Sequence, residues 1–249
     1  MRGNCVRFNR SYEYYDRIAA VYDSMYQDEY WRSACEQTRR IVLRYVKNLH
    51  GLEVIDIGAG TGTWGLWFSQ MGSYVTLVEP ARNMLDIAKC KFGRSNLLQR
   101  VRGFFCTKIE DLENYQQYDI ALLLGDVLSY VESPDLVVRK VAKLLKRHGL
   151  LFGTVDNYFS YLKDVIIYGT LDDLKRLQNL GKLPIGSEFG VFEARSFTEE
   201  ELRKLLRLSG FYVAEITSLA VFPNAELNLK FGTHFNREAE HLLYVAVKE

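Results

Sequence analysis

Few cysteines, few prolines and no excess of either charge mark this chain of 249 residues, and each shortage narrows what it can be. The four cysteines, Cys5, Cys35, Cys90 and Cys106, form no C-x-x-C pair and have no histidine nearby at metal-ligand spacing. Free thiols and no metal site are therefore expected. No uninterrupted apolar run approaches the ~20 residues needed to span a bilayer, and the opening stretch MRGNCVRFNRSYEYYDR lacks the apolar core of a secretory signal. A cytoplasmic location without a transmembrane segment is the expectation. Lysine plus arginine number 32 against 31 acidic residues, which argues against a polyanion as the obligatory partner, so nucleic acid is not expected. What is present, 48% apolar and 25% charged residues, suits one globular α/β domain with a sizeable core and excludes extended disorder.

From about residue 52 onward, short β-rich runs alternate with helical periodicity, the pattern of a parallel sheet. Strands are expected at Val54–Ile57, Tyr74–Glu79, Val101–Cys106, Ile120–Leu124 and Leu150–Val155, mostly continuous apolar runs as when helices cover both faces. Ser133 and Pro134 open a helix with Val137, Val138, Val141, Leu144 and Leu145 on one face. Lys146, Arg147 and His148 then suit its C-terminal dipole, and Gly149 suits its end. Thr198 begins the capping box T-E-E-E, with Leu202, Leu205 and Leu206 as the buried face behind it. Phe211–Ala220 and Leu242–Val247 read as an antiparallel pair at the sheet edge. Two helices are expected at Ser11–Tyr26 and Tyr30–Leu49, and two more, the second capped by Thr170 and Asp173, in a cap inserted between Tyr158 and Glu193.

The most informative segment is EVIDIGAGTGTWG, from Glu53 to Gly65. A strand runs into Gly58, Gly60 and Gly62, which allow a sharp turn and close approach to a ligand beside the crevice of an open α/β sheet. Glu79 ends the second strand 21 residues after Gly58 (79 − 58), and a carboxylate there can accept both hydroxyls of a ribose. Gly60, Gly62 and Gly65 also satisfy the dinucleotide pattern G-x-G-x-x-G, so a nicotinamide oxidoreductase is the rival. A fingerprint beginning at Gly60 would, however, place its first glycine too far beyond the strand, whereas Asp56 stands on the strand two residues before Gly58.

The run Val54-Ile55-Asp56-Ile57-Gly58-Ala59-Gly60-Thr61-Gly62 resembles the signature of class I S-adenosylmethionine-dependent methyltransferases. YYDRIAAVYDSMY, LVEPARNMLDIAK, TKIEDL, LLLGDVLSYVESPD, SFTEEELRKLLRLSGF and HLLYVAVKE are similar to the group that includes ubiquinone and menaquinone biosynthesis enzymes. The resemblance implies a doubly wound, mostly parallel seven-stranded sheet of order 3-2-1-4-5-7-6 whose last strand is antiparallel. A single methyltransferase domain over 1–249 is implied: N-terminal helices in 1–50, a cofactor-binding half in 51–157, the inserted cap in 158–193, and a helix with the antiparallel pair in 194–249. The cofactor the resemblance implies is S-adenosylmethionine, leaving as S-adenosylhomocysteine. A cofactor-binding protein without turnover is the other alternative.

By the same resemblance Asp56, Gly58, Ala59, Gly60 and Gly62 would surround the amino-acid end of the cofactor and Glu79 its ribose. Pro80 and Met84 would border the adenine, with Ile109 and Glu110 at its edge; Cys106 stands where many relatives carry aspartate. Gly125 and Asp126 fall where the methyl group faces its acceptor, and Asp126 could act on the acceptor or merely cap the helix that follows. Tyr130 and Tyr22 are candidates for aromatic contact with the sulfonium. His148 and His50 read as helix-end residues, and His234 as a weak candidate for a base. Asn-Pro-Pro-aromatic, the mark of amino-group methylation on nucleic acids or glutamine, is absent. The expected acceptor is a small, partly apolar molecule, with Tyr158, Phe159, Tyr161, Tyr168, Phe189 and Phe192 as candidate pocket walls. The sequence leaves the oligomeric state open, with a homodimer compatible.

Overall fold

The computed structural model describes residues 6–113, 116–222, 224–231, 237 and 239–249. In chain order the elements are α1 (Ser11–Met25), α2 (Glu29–Tyr45), β1 (Glu53–Ile57), α3 (Thr63–Gln70), β2 (Tyr74–Val78), α4 (Arg82–Arg94), β3 (Val101–Phe105), β4 (Tyr118–Leu123), α5 (Val127–Tyr130) and α6 (Pro134–Leu144). There follow β5 (Leu145–Asp156), α7 (Tyr158–Tyr168), α8 (Leu171–Leu180), β6 (Lys182–Ser187), β7 (Gly190–Arg195), α9 (Glu199–Leu208), β8 (Phe211–Leu219), α10 (Ala225–Phe231) and β9 (His241–Lys248). The main sheet has seven strands in the order β3-β2-β1-β4-β5-β9-β8. Its first five strands in sequence run parallel, and β9 is antiparallel to both β5 and β8. This is the expected order, because the sixth and seventh strands of the main sheet are β8 and β9. Among the described residues no helix is long and apolar enough to cross a membrane.

Side-chain alternation explains why the strands read as continuous apolar runs. In β1, Ile55 and Ile57 join one core with Val137, Val138 and Val141 of α6 and Leu202 and Leu206 of α9. Val54 points to the opposite core, with Ile41 and Val42 of α2, Phe68 of α3 and Ala88 and Phe92 of α4. Each fully buried side chain of this size contributes roughly 1.5–3 kcal/mol, so burial on both faces fixes the layers. Local signals agree at several helix starts. Thr198 accepts from Glu201 N while Glu201 reaches back, and Thr170 and Asp173 make the same exchange.

Three expectations need correction. Helix α6 stops at Leu144, not at Gly149: Leu145 is fully buried and pairs with Tyr118 at the start of the β4–β5 ladder. His148 is therefore no helix-end cation but a residue at φ +63° within β5, where packing of Leu145 outweighs the helical pattern. The inserted segment holds a β6–β7 hairpin besides its two helices. Its helices also bury less than their apolar stripe suggests, since Ile166 and Leu171 are exposed while Leu177 is buried. The N-terminal strap lies along this hairpin, with Phe8 N donating to Val191 O at 2.8 Å and Val191 N to Val6 O at 2.8 Å. Strap, hairpin and α1 thereby cover the C-terminal end of the parallel strands through a cluster containing Tyr14, Ile18, Met84 and Phe192. His234 lies outside the described residues.

Candidate functional site

The glycine turn between β1 and α3 is held by β2. Gly58 N and Ala59 N both donate to Val78 O, at 2.8 and 3.2 Å. Gly58, Gly60 and Gly62 all adopt positive φ, but for different spatial reasons. A Cβ on Gly58 would stand 2.6 Å from Val127 Cγ2, and one on Gly62 2.9 Å from Ala88 Cβ. A Cβ on Gly60 would meet nothing within 4 Å. Two glycines therefore let neighbouring helices approach, and Gly60 faces open space.

Glu79 follows β2 and is 6% exposed. Its Oε2 accepts from Gly60 N and its Oε1 from Ala81 N, both at 2.8 Å. An ionised carboxylate offers about four acceptor positions, so each oxygen keeps one for a ligand hydroxyl. Burial pushes its pKa up to about 7, against the pull of those two backbone donors. Asp56 is also committed: its Oδ2 accepts from Gly65 N at 2.8 Å and so ties β1 to the first turn of α3. Burial likewise raises Asp56 to about 7.

A cavity of about 750 Å³ opens above the turn. Its lining includes Gly58, Ala59, Gly60, Glu79, Pro80 and Met84 from the first half of the sheet, with Ile109 and Glu110 beyond β3. Tyr22, Gly125, Asp126 and Tyr130 line it too. The structure thus brings twelve of the fourteen candidate cofactor and catalytic residues to one surface. Asp56 and Gly62 lie behind the lining, where they shape the turn. Cys106, with Sγ 3.7 Å from Pro80 O, is outside the lining as well.

The aromatic wall comes from a different place than expected. Tyr12, Tyr15, Tyr22 and Tyr26 of the α1 region and Trp31 of α2 face the cavity, whereas the six aromatic residues of the inserted segment do not line it. Phe192 packs behind, with its ring 5.7 Å from Tyr15 and 5.3 Å from Tyr130, and Tyr168 is 83% exposed. Burial raises the pKa values of Tyr22 and Tyr130 well above the usual phenol range, so both are neutral hydroxyls.

Asp126 does not cap α5. It sits at φ 62° with no side-chain cap bond, and the turn is held instead by Thr154 Oγ1, which accepts from Gly125 N and Asp126 N at 3.0 Å each. Asp126 Oδ2 lies 3.1 Å from His241 Nδ1, which is also 3.3 Å from Asp156 Oδ1. Tyr161 donates to Asp156 Oδ2 at 2.6 Å. Burial opposes a charge on His241, but the carboxylates of Asp126 and Asp156 outweigh it and hold its pKa well above the ordinary value. Burial raises Asp156, with His241 pulling the other way. Neither Asp156 nor His241 was singled out in the sequence. Topology held the signal: His241 opens a strand antiparallel to the one Asp156 closes, and the two are register partners at the ligand edge.

A buried carboxylate beyond β2, a glycine turn beyond β1 and a cavity at the carboxyl ends of the parallel strands define a nucleoside-cofactor enzyme of the α/β class. Residues 54–149 match the family described as methyltransferase domain. A ubiquinone biosynthesis O-methyltransferase from Bradyrhizobium diazoefficiens is 26% identical over 202 residues, covering 78% of this chain and 71% of that protein. Other curated relatives are matched over about half their length, such as 46% for that of Nitrobacter winogradskyi. Two solved structures share the fold. The [4+2]-cyclase SpnF aligns at TM-score 0.68 and 17% identity over 99% of both chains. Magnesium protoporphyrin IX methyltransferase from Synechocystis, solved with S-adenosylmethionine, aligns at 0.59 and 19% over 88% of this chain and 81% of its own. Residues 54–149 thus carry a methyltransferase domain, and the chain shares the fold of S-adenosylmethionine-dependent methyltransferases.

Proposed function

We propose that this enzyme methylates an oxygen of a small, partly apolar molecule held at the Asp126 end of the cavity. One observation carries the reading: Glu79, with a free acceptor position on each oxygen, and the Asp126–His241 pair open onto the same cavity. When bound, the cofactor supplies a methyl group already activated by a positively charged sulfur, so aligning the acceptor is the main task left to the protein. Glu79 would take the ribose hydroxyls, with Pro80, Met84, Ile109 and Glu110 around the base. Gly58, Ala59, Gly60 and Gly125 would border the amino-acid end, while Asp56 and Gly62 support the turn from behind. The rings of Tyr22 and Tyr130 would favour positive charge between the two ends. Tyr12, Tyr15, Tyr26 and Trp31 would receive the apolar body of the acceptor. The relatives named as O-methyltransferases of ubiquinone biosynthesis favour oxygen as the methylated atom. We read residues 1–249 as one functional unit, since strap, α1 and hairpin complete the cavity.

Calorimetry with S-adenosylhomocysteine and NAD tests the cofactor half: binding of the first alone is expected, and the reverse overturns it. Transfer of labelled methyl to hydroxylated aromatic acceptors tests the rest, with Gly60→Arg as the inactive control. That control works by filling the cavity, because the space beyond Gly60 is open.

A further inference from the structure

The cluster at the acceptor end has a feature that methyl transfer by alignment alone does not use. Asp126 and Asp156 are 5% and 3% exposed, and together with His241 they place three donor atoms within 4.8 Å of one another. His241 Nδ1 is close to both carboxylates yet forms an aligned hydrogen bond with neither, and Asp126 Oδ1 is buried with no partner at all. Burying a carboxylate oxygen without a partner is costly, so a group that could satisfy it is called for.

We propose that Asp126, Asp156 and His241 form a binding site for a divalent cation. Neighbouring ligands around a first-row ion, each at about 2.1 Å from it, lie roughly 3.0–3.4 Å apart. The separations of 3.1 and 3.3 Å from Nδ1 to the two carboxylates fall in that range. Without an ion the two carboxylates keep the proton on His241; on binding, the ion displaces that proton and balances the two carboxylate charges itself. Mixed nitrogen and oxygen donors suit Mn²⁺ or Zn²⁺ better than Mg²⁺, which prefers oxygen. Tyr161 leaves Oδ1 of Asp156 free by donating to Oδ2, the outer-shell contact typical of a metal-ligating carboxylate. Asp126 and His241 face the cavity, so the ion's remaining positions would be open to it. Under the proposed function, which this second step assumes, one of them would take the acceptor oxygen and lower the pKa of its hydroxyl. The donors come from the ends of three separate strands, so no sequence spacing announces them.

The test is titration of the purified full chain with Mn²⁺, followed by paramagnetic resonance and calorimetry, with S-adenosylhomocysteine binding measured on the same preparations. One ion per chain is expected. Asp156→Asn and His241→Ala should abolish binding, and Tyr161→Phe should weaken it about tenfold or more, while affinity for S-adenosylhomocysteine stays within about threefold, which shows the fold intact. No Mn²⁺ or Zn²⁺ bound at millimolar concentration by protein that binds S-adenosylhomocysteine overturns the metal site and leaves the cofactor reading standing. Equal affinity in wild type and His241→Ala also overturns it. Metal binding without S-adenosylhomocysteine binding supports the site and sinks the cofactor reading instead.

Discussion

Replacing Glu79 by glutamine keeps shape and volume while removing the charge, and the structure says what that should cost. Both carboxylate oxygens accept a backbone N–H at 2.8 Å, from Gly60 and Ala81. An amide can accept at one oxygen only, so one N–H would face the NH₂ group and lose its partner. The two ribose hydroxyls would in turn lose a charged acceptor. Hydrogen bonds to charged groups contribute about 1.5–3 kcal/mol each, so the loss should reach about 3 kcal/mol, or roughly 100-fold in affinity. Calorimetric titration with S-adenosylhomocysteine reads this directly. The wild type adds a pH signature: with Glu79 near 7, the ionised form that accepts the ribose fills in as pH rises. Affinity should be about tenfold weaker at pH 6 than its plateau above pH 8, and the Gln variant should show no such rise. An unchanged dissociation constant in Glu79→Gln would refute the ribose assignment.

Other consequences are open to measurement. Asp56 and Glu79 both titrate higher in the fold than in the unfolded chain, so each favours the folded state at low pH. Ligand-free protein should therefore lose stability between about pH 4 and pH 8, on the order of 3 kcal/mol per group, in urea titrations at each pH; a flat or rising profile speaks against the buried carboxylates. Gly58→Ala forces a Cβ to 2.6 Å from Val127 at positive φ and should cost about 2–3 kcal/mol in the same assay. Asp126→Asn preserves a residue type that tolerates positive φ, so affinity for S-adenosylhomocysteine should hold while methyl transfer falls about 100-fold. Transfer at wild-type rate would remove Asp126 from the acceptor site.

How legible the fold was depended on how local its signals are. The five parallel strands show as apolar runs because both faces are covered, and Thr170 and Thr198 mark helix starts through bonds made within one turn. The end of α6 is hidden in the sequence because Leu145 continues the helical stripe, yet its burial beside Tyr118 in the β4–β5 ladder decides the matter. The β6–β7 hairpin is poorly legible although Gly190, Phe192 and Ala194 alternate as buried residues. Its short strands contain Pro184 and two glycines, which read as loop.

At the site, the cofactor half was legible because its residues are consecutive along β1 and β2. The acceptor half was not, because it is assembled across the sheet. Asp126 was visible beyond β4, but its partners lie 30 and 115 residues further on (156 − 126 and 241 − 126), joined through the β5–β9 register. The insertion's aromatics read as the wall, yet the wall stands on α1 and α2, and Phe192 of the insertion packs behind Tyr14 and Tyr15 of α1.

Transfer of labelled methyl from S-adenosylmethionine, across a panel of small hydroxylated aromatic acceptors, nucleic acid and protein, bears most directly on the central claim. Label appearing on the oxygen of a small acceptor, and lost with Gly60→Arg, is the expected result; label reaching only nucleic acid or protein, or none of the panel, would contradict it.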